Sequence, residues 1–393
     1  MVQAKTKGTE IELVELLTEP EKETVSKIKA IAQQLNGYFL EREDYVDLLF
    51  ISRLAKQHVV SFGPPGTGKS YLIVSWNTHF TGSRNFSYQL NKFTVPEEIF
   101  GIFSLPKMKL EKYERVVTDK LPEAEIAYLD EVFNANTSVL NMLNEPMNER
   151  AFQGKNVPLE TIQSATNFMP EEKTTVAFYD RFTWRIMVDY LHEARNFEKL
   201  MRLGKYAPSE FITKEEFASL QQKVDLVQVP AAVYAAISKM REMLRIQNIV
   251  PSDRRFLWAL RGLKARALLN GRDSCTQDDL WILKYALWSD PKDVAIVESI
   301  IMKCIDPDAA RIKEIFDQAV DVEKQLRPLD VDKDPKLFAD VKEGLNKLTK
   351  IADAIAELRS SPIMIPRVRQ VAETLERNVR EMKENIKKQK LEG

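Results

Sequence analysis

The chain has 393 residues, of which 44% are hydrophobic and 29% charged, and its 57 Lys and Arg residues balance 58 Asp and Glu residues to a formal net charge of −1. This composition excludes a disordered chain and lacks the basic surplus of a dedicated nucleic-acid coat protein. The low count of 13 glycines favours a helix-rich protein, and two cysteines are too few for a disulfide framework or a cysteine zinc site, which favours a reducing compartment.

The amino-terminal segment and the longest uncharged run carry no targeting or membrane pattern. Residues 1–17 include three Glu and two Lys and lack the apolar stretch of a signal peptide. The uncharged run from Val227 to Ser238 contains Pro230 and falls short of the ~20 apolar residues that a membrane span needs. We therefore expect a cytoplasmic protein without a membrane span.

Short strand patterns alternate with helical patterns through the first half of the chain. Helical spacing covers Thr24 to Leu35 and Tyr45 to Leu54. Five short runs of the buried-strand type follow, at His58–Phe62, Phe86–Leu90, Ile126–Leu129, Leu159–Thr166 and Trp184–Val188. This alternation predicts an α/β domain over residues 1–195, with a parallel five-stranded sheet covered on both faces.

The strand patterns end after Val188, and helix-start signals replace them. Thr213-Lys214-Glu215-Glu216 reads as a capping box, Thr276 to Asp279 as a looser one, and Asp290-Pro291 as an N-cap followed by proline. These signals predict an all-α domain over residues 196–307.

Three apolar stripes with spacings of three and four residues occupy residues 308–393. They run over Ile312 to Val322, Phe338 to Leu358 and Val368 to Ile386, with linkers at 327–335 and 360–366. Because a single helix cannot bury its own apolar stripe, we predict that the three helices pack together as an antiparallel tail. A structural bundle and a stalk for partner docking are both compatible with this pattern.

A phosphate-binding loop follows the first predicted strand and opens a helix. It has the pattern G-x-x-x-x-G-K-[ST] and consists of Gly63, Pro64, Pro65, Gly66, Thr67, Gly68, Lys69 and Ser70, with Tyr71 next in the helix. Its backbone N–H groups and the helix N-terminus suit the phosphates of ATP. Lys69 is predicted to bridge the β- and γ-phosphates and Ser70 to ligate Mg²⁺.

Two carboxylates, Asp130 and Glu131, end the strand that begins at Ile126. Parallel strands place their ligands at their carboxyl edge. Asp130 is therefore predicted to hold the Mg²⁺ shell, and Glu131 to orient or deprotonate the attacking water.

With these two elements the chain resembles the AAA+ ATPases, within them the MoxR group, and most closely the regulatory ATPase variant A branch. The resemblance runs from about Leu40 to Pro307. Besides the loop and the Asp-Glu pair, the residues that carry it are Pro96–Gly101, Leu121–Glu125, Asn148–Arg150, Ala165–Asn167, Tyr179–Phe182 and Ser252–Arg255. It implies a phosphate-loop core, an all-α lid and a triple-helical tail.

The resemblance also implies roles for four residues that would otherwise look ordinary. Asn167 matches the sensor asparagine, which contacts the water or the γ-phosphate. Arg181 matches the arginine finger, which acts on the neighbouring subunit's nucleotide. Arg254 matches the second sensor arginine, expected to contact the γ-phosphate of its own subunit, and the adjacent Arg255 is the alternative.

Further positions are assigned by resemblance alone. Asn91 lies where a polar residue restrains the catalytic glutamate. Glu41 and Arg42 lie where the backbone passes the adenine, and their side chains are equally compatible with a solvated ion pair. Two insertions, at Gly101–Leu121 and Ala151–Leu159, match hairpins that face the ring pore, although each could also be a plain solvent loop.

The resemblance implies an ATP-hydrolysing homo-oligomeric ring, most simply a hexamer, that remodels or matures a protein or metalloprotein client in a chaperone-like way. A von Willebrand factor A (VWA) domain partner is expected. Relatives in the closest branch insert a β-rich domain among the tail helices, whereas here only Leu329–Lys336 occupies that place. Two alternatives remain: a nucleic-acid-dependent translocase, disfavoured by the mildly basic first insertion, and a magnesium-chelatase-like motor subunit.

Overall fold

The computed structural model describes residues 16–170, 173–329, 337–360 and 366–391. Most of the amino-terminal segment and most of both predicted tail linkers lie outside these residues, as does the carboxyl end of the chain.

A five-stranded parallel sheet forms the centre of the α/β part, as predicted. Its strands are β1 (Val59–Phe62), β2 (Asn85–Gln89), β3 (Ile126–Asp130), β4 (Thr161–Thr166) and β5 (Trp184–Met187). They are arranged in the order β2-β3-β4-β1-β5. β1 and β4 are buried along their whole length, β1 with mainly apolar residues and β4 with a mixture that includes the buried polar residues Gln163 and Ser164.

The register places the carboxyl ends of the central strands at one edge. Phe62 pairs with Thr166, and Asp130 pairs with Ala165. At the opposite edge, Val59 pairs with Trp184. Residues that follow β1, β3 and β4 therefore converge on one side of the sheet.

Fifteen α-helices are found among the described residues. In chain order they are α1 (Glu19–Tyr38), α2 (Glu43–Leu54), α3 (Lys69–Asn77), α4 (Pro96–Phe100), α5 (Leu105–Met108), α6 (Thr137–Glu149), α7 (Lys173–Tyr179), α8 (Ala194–Leu200), α9 (Lys214–Val224), α10 (Ala231–Ile246), α11 (Asp253–Leu269), α12 (Val294–Ile305), α13 (Pro307–Leu326), α14 (Leu337–Arg359) and α15 (Pro366–Leu391). None of these described helices has both the length and the apolar character that a membrane crossing requires.

The chain divides into two compact units. The first contains the described residues up to Pro230, together with Pro251–Cys275 and Tyr285–Leu287. The second contains Ala231–Val250, Thr276–Lys284 and the described residues from Trp288 onward. These units cut across the helical domain predicted for residues 196–307, and the domain boundaries at 195 and 307 stay predictions.

Local signals in the first unit form as the sequence indicates. Thr213 caps α9, since its hydroxyl accepts from the Glu216 N–H at 3.2 Å while the Glu216 carboxylate accepts from the Thr213 N–H at 2.7 Å. A second, two-stranded parallel pair joins Phe80–Thr81 to Ile212–Thr213. This pair holds the start of α9 beside the end of α3, which no pattern in the sequence indicates.

The second unit contains the three predicted tail helices, in which α14 packs against both α13 and α15. The apolar stripes form its core, which includes Ile312, Ala319, Val341, Leu345, Leu348, Ile355, Val379 and Ile386. Two 3₁₀ helices, Gln277–Tyr285 and Pro291–Asp293, begin at the predicted start signals. The loose box at Thr276 forms, because the Asp279 carboxylate accepts from the Thr276 N–H at 2.8 Å.

Candidate functional site

The phosphate loop is a tight turn between β1 and α3. Gly66 and Gly68 both have a φ of +82°, and Gly68 is the N-cap of α3. Gly63 is fixed by a close approach, since a Cβ there would lie 1.9 Å from the carbonyl oxygen of Val188. The loop thus needs glycine at 63 for space and at 66 and 68 for backbone conformation.

The Lys69 ammonium lies inside the curve of this loop. Its Nζ donates to the carbonyl oxygens of Gly63 and Pro64, both at 2.8 Å. A longer bond of 3.4 Å reaches Asn167 Oδ1. Burial lowers the pKa of Lys69, and the nearby Glu131 and Asp130 carboxylates oppose that shift. The loop therefore holds a cation that faces the two carboxylates at the carboxyl edge of the sheet.

Three donors fix the Glu131 carboxylate. Asn167 Nδ2 donates to Oε1 at 2.8 Å, and Oε2 accepts from Thr166 Oγ1 at 3.0 Å and from Asn134 Nδ2 at 3.2 Å. The backbone of Glu131 is left-handed, with a φ of +52°, which costs a non-glycine residue about 1 kcal/mol. The arrangement brings together Lys69, Glu131 and Asn167, three residues that the sequence predicted for one site.

Ser70 and Asp130 are suited to a magnesium ion. Burial raises the pKa of the Tyr128 phenol, and both Ser70 and Asp130 lie close enough to that phenol to influence it. One hydroxyl and one carboxylate beside bound phosphates are a donor set that Mg²⁺ takes in nucleotide sites. Within the described residues, no three His, Cys, Asp or Glu side chains form a metal cluster, so a cation here would depend on phosphate oxygens for further ligands.

A cavity of about 490 Å³ opens beside the loop. Its walls are mainly aromatic and aliphatic, and are formed by Tyr38, Phe39, Leu40, Arg42, Gly66, Thr67, Gly68, Tyr71, Tyr190, Leu191, Phe197 and Leu200. Such a cavity next to a phosphate site suits a flat nucleobase. Sequence reasoning placed Arg42 and Tyr71 near this site and missed Tyr190 and Phe197, which come from a segment with no motif of its own.

Glu41 and Arg42 anchor the rim of this cavity. The Glu41 carboxylate accepts from the backbone N–H of His192 at 2.8 Å and from Asn196 Nδ2 at 3.0 Å. Arg42 Nη2 donates to the Thr67 carbonyl at 3.4 Å. Arg42 Nη2 also donates to the Asp189 carbonyl at 2.5 Å. The interpretation of Glu41 and Arg42 as a solvated ion pair is therefore wrong, because each side chain is bonded to backbone groups at the rim of the cavity.

Asn91 does not restrain Glu131 in the described structure. Its Oδ1 accepts from the backbone N–H of Phe93 at 2.8 Å, which closes a local turn. The restraint predicted for Asn91 is instead supplied by Asn134, Thr166 and Asn167, as described above.

Arg181 lies near the amino ends of β1 and β5. Its Nη1 donates to the carbonyl of Ala177 at 2.6 Å. Burial lowers the pKa of Arg181, and the neighbouring Arg254 lowers it further. Arg181 and Arg254 are therefore close to one another, although 73 positions separate them in the sequence.

The adjacent arginines of α11 have different environments. Arg255 is buried, and its guanidinium pairs with the Asp180 carboxylate. Arg254 is exposed and lies 5.6 Å from the ring of Trp258. Arg255 is thus occupied within the subunit, which leaves Arg254 as the arginine available to a ligand.

The position of α11 does not support contact between Arg254 and its own phosphate loop. Gln57, two residues before β1, donates to the Trp258 carbonyl, and Gly262 packs against the ring of Trp184 at the start of β5. α11 therefore lies against the amino edge of the sheet. A four-residue strand spans roughly 13 Å, and the loop lies beyond its far end.

Both predicted insertions form hairpins. In the second, Ala151–Phe152 pairs with Lys155–Asn156, and the turn residues Gln153 and Gly154 have φ values of +49° and +73°. In the first, Phe103 and Arg115 form an antiparallel bridge, and α5 lies between them. Whether these hairpins face a pore stays a prediction.

Two family models match the chain. Residues 26–228, slightly more than half of it, match the MoxR domain of the MoxR-vWA-beta-propeller ternary systems. Residues 232–301 match an AAA lid domain.

Similar proteins include two uncharacterized proteins of Methanocaldococcus jannaschii. MJ0079 is 33% identical over 343 residues, which cover 86% of this chain and 89% of that protein. MJ0812 is 35% identical over 282 residues, which cover 70% of this chain and 75% of that protein. A crystal structure of a candidate ATPase from Cytophaga hutchinsonii superposes with a TM-score of 0.58 at 18% identity, covering 72% of this chain and 96% of that one. At that identity, the likeness shows a shared fold alone.

Proposed function

The chain belongs to the MoxR family of AAA+ ATPases, and from this premise we propose that it is an ATP-hydrolysing ring motor that remodels or matures a protein client. The observation that carries the proposal is the convergence of Lys69, Glu131 and Asn167 at the carboxyl edge of the sheet, beside an aromatic cavity.

The chemical roles follow from this placement. Lys69 and the loop N–H groups bind the β- and γ-phosphates of ATP, while the base enters the aromatic cavity. Ser70 and Asp130 hold Mg²⁺, which supplies charge neutralisation to the phosphates. Glu131 accepts a proton from the attacking water, and Asn167 positions both this carboxylate and the γ-phosphate.

Activity requires a neighbouring subunit. Arg181 and Arg254 lie together near the amino edge of the sheet, one strand length from the phosphate loop of the same chain. We propose that both arginines reach the nucleotide of the next subunit in a homo-oligomeric ring, most simply a hexamer, where they stabilise charge on the transferring phosphoryl group. This assignment revises the same-subunit role expected for Arg254.

A protein client is favoured over a nucleic acid by the first insertion. Of its cations, Lys107 is paired with Glu114 and Arg115 with Glu97. The same insertion exposes Leu105, Leu110 and Tyr113, each by 70% or more. Exposed apolar side chains, together with cations of which two are paired with carboxylates, suit a polypeptide better than a phosphate backbone.

The partner and the cellular setting are also proposals. The matched family model is described from ternary systems with a vWA domain, and we propose a partner of that type for this chain. The narrower placement in the regulatory ATPase variant A branch and a cytoplasmic location rest on the sequence resemblance.

Mixing two inactive variants tests the shared site. We expect Glu131→Gln to bind ATP and to lower turnover roughly 10²- to 10⁴-fold, the range typical of a general base. Arg181→Ala should also be inactive alone, because every nucleotide then lacks its arginine. A mixed oligomer should regain MgATP hydrolysis at interfaces that combine an intact Glu131 with an intact Arg181.

The control is Lys69→Ala, which should lose ATP binding. A mixture of Lys69→Ala with Glu131→Gln should not regain hydrolysis, because one variant lacks the lysine of its own phosphate loop and the other lacks the catalytic carboxylate of its own site. Wild-type protein without MgATP hydrolysis would refute the proposed reaction. A monomer with full turnover would refute the proposal that sites are shared.

A further inference from the structure

Asp180 connects the two chain segments that carry Arg181 and Arg254. It directly precedes Arg181 in the sequence. Its Oδ2 accepts from the hydroxyl of Ser252, the N-cap of α11, at 2.8 Å, and its Oδ1 pairs with Arg255. The residue that precedes Arg181 is thus bonded directly to the residue that follows Arg254.

The hydrogen bonds of the Asp180 carboxylate go to Ser252 and Arg255, while on Arg181 it acts only through its charge, which opposes the lowering of the Arg181 pKa by burial. Buried Arg185 lies 3.8 Å from Oδ1, and it has acceptors of its own in the carbonyls of Phe182 at 3.0 Å and Tyr179 at 3.2 Å. Arg185 therefore does not depend on Asp180 for its hydrogen bonds, and the principal partners of Asp180 lie at the start of α11.

Arg181 and Arg254 keep their charges available. Within the part of the chain that the structure describes, neither forms an ion pair with a carboxylate, and Arg181 is bonded to a backbone carbonyl instead. Two guanidinium groups held close together repel each other, and a polyanion between them relieves that repulsion. A pair of arginines held in this way is a preorganised receptor for anions, because the two side chains do not have to move together when the ligand binds.

We propose that Asp180 is a positioning residue that holds Arg181 and Arg254 together as a two-arginine receptor for the nucleotide phosphates of the neighbouring subunit. The proposal rests on the proposed function, because it assumes that hydrolysis occurs at shared sites. It places the origin of the pairing at the Asp180–Ser252–Arg255 contacts, which join the segment before β5 to the first turn of α11.

The proposal predicts a defect that appears in the neighbour's site and not in the variant's own. Asp180→Asn keeps the side-chain volume and an acceptor for Ser252 but removes the charge that holds Arg255. We expect turnover at saturating ATP to fall roughly ten- to a hundredfold, the scale of a displacement of about 1 Å of a catalytic group. The affinity of the variant's own loop for ATP should stay within about threefold, since that loop lies at the other edge of the sheet.

The decisive experiment mixes full-length Asp180→Asn with Glu131→Gln in equal amounts and measures MgATP hydrolysis. With random assembly, about one interface in four joins an intact Glu131 to an intact arginine pair, whatever the ring size. The mixture should therefore recover roughly a quarter of wild-type turnover. A defect confined to the folding or the own site of Asp180→Asn would give no recovery.

The matched control is Asp225→Asn. It removes the negative charge that lies 3.2 Å from Arg261, a residue of α11, and it should hydrolyse ATP like the wild type. Ser252→Ala replaces Asp180→Asn if the latter does not fold, and the same recovery is expected. Wild-type turnover in Asp180→Asn, or no recovery in a mixture where Arg181→Ala does recover, would overturn the role of Asp180. No recovery with either variant would instead overturn the shared site itself.

Discussion

Replacing Arg254 and Arg255 one at a time should separate stability from catalysis at adjacent positions. The Arg255 side chain is 5% exposed and paired with Asp180, whose side chain is 26% exposed. Breaking a buried ion pair from one side costs about 3–5 kcal/mol. Because Asp180 keeps Ser252 and some water, we expect Arg255→Ala to lose about 2–3 kcal/mol of unfolding free energy.

The corresponding shift in melting temperature is large enough to measure. A unit of this size shifts by about 2–4 °C per kcal/mol, so Arg255→Ala should melt roughly 4–12 °C below the wild type. Arg254 is exposed, and its replacement by alanine should change the unfolding free energy by less than about 0.5 kcal/mol. Turnover of Arg254→Ala should nevertheless fall at least about tenfold, since it removes one of the two cations proposed to act on the neighbouring subunit's phosphates.

The assays are thermal denaturation without nucleotide and steady-state hydrolysis of MgATP by the full-length oligomer. Arg261→Ala is the control and should match the wild type in both, because this residue of the same helix is paired with the exposed Asp225 and not with Asp180. If Arg254→Ala keeps full turnover, or if Arg255→Ala melts with the wild type, the assignment of the two arginines from burial is refuted.

Three further outcomes are expected. Gly63→Ala should abolish ATP binding and lower the melting temperature, because its Cβ would lie 1.9 Å from the Val188 carbonyl oxygen. Gly66→Ala has open space around its Cβ and should lower the free energy of unfolding by only about 1 kcal/mol. Equal losses of ATP affinity in the two variants, measured by titration, would contradict this expectation. Phe197→Ala should raise the Kd of ATP and ADP alike by roughly tenfold, the scale of one lost stacking contact, and an unchanged Kd in competition binding would remove the base from this cavity. Burial holds the pKa of His58 well below its usual value, so below pH ~6.5 the unfolded chain binds a proton at this residue that the folded chain does not bind. In urea unfolding, the free energy of unfolding should therefore decrease by up to about 1.4 kcal/mol for each unit by which the pH is lowered. A free energy of unfolding that does not change with pH would contradict this expectation.

Much of the fold follows from local signals in the sequence. All five predicted strands form, and four of them are largely buried in the sheet, whereas β2 is an edge strand with only Phe86 fully buried. The convergence of the phosphate loop, Glu131 and Asn167 follows from parallel pairing alone, since each comes after the carboxyl end of a strand.

The remainder of the site depends on which distant surfaces pack together, and no local pattern encodes that. Arg254 and Arg255 are about 100° apart around α11, and only the position of Asp180 decides which one is buried. The base cavity likewise draws its walls from segments near Tyr38, Tyr71 and Phe197, each unremarkable alone.

The six residues between β5 and α8 connect nearly every part of the candidate nucleotide site. The Val188 carbonyl lies against Gly63, Tyr190 Oη donates to the Pro65 carbonyl at 3.4 Å, and the backbone N–H of His192 donates to Glu41. This ribbon continues directly into α8, which bears Phe197 at the far wall. Loading and discharge of nucleotide should thus be transmitted along a single uninterrupted stretch of backbone, whose amide exchange rates would report the hydrolytic cycle as it proceeds.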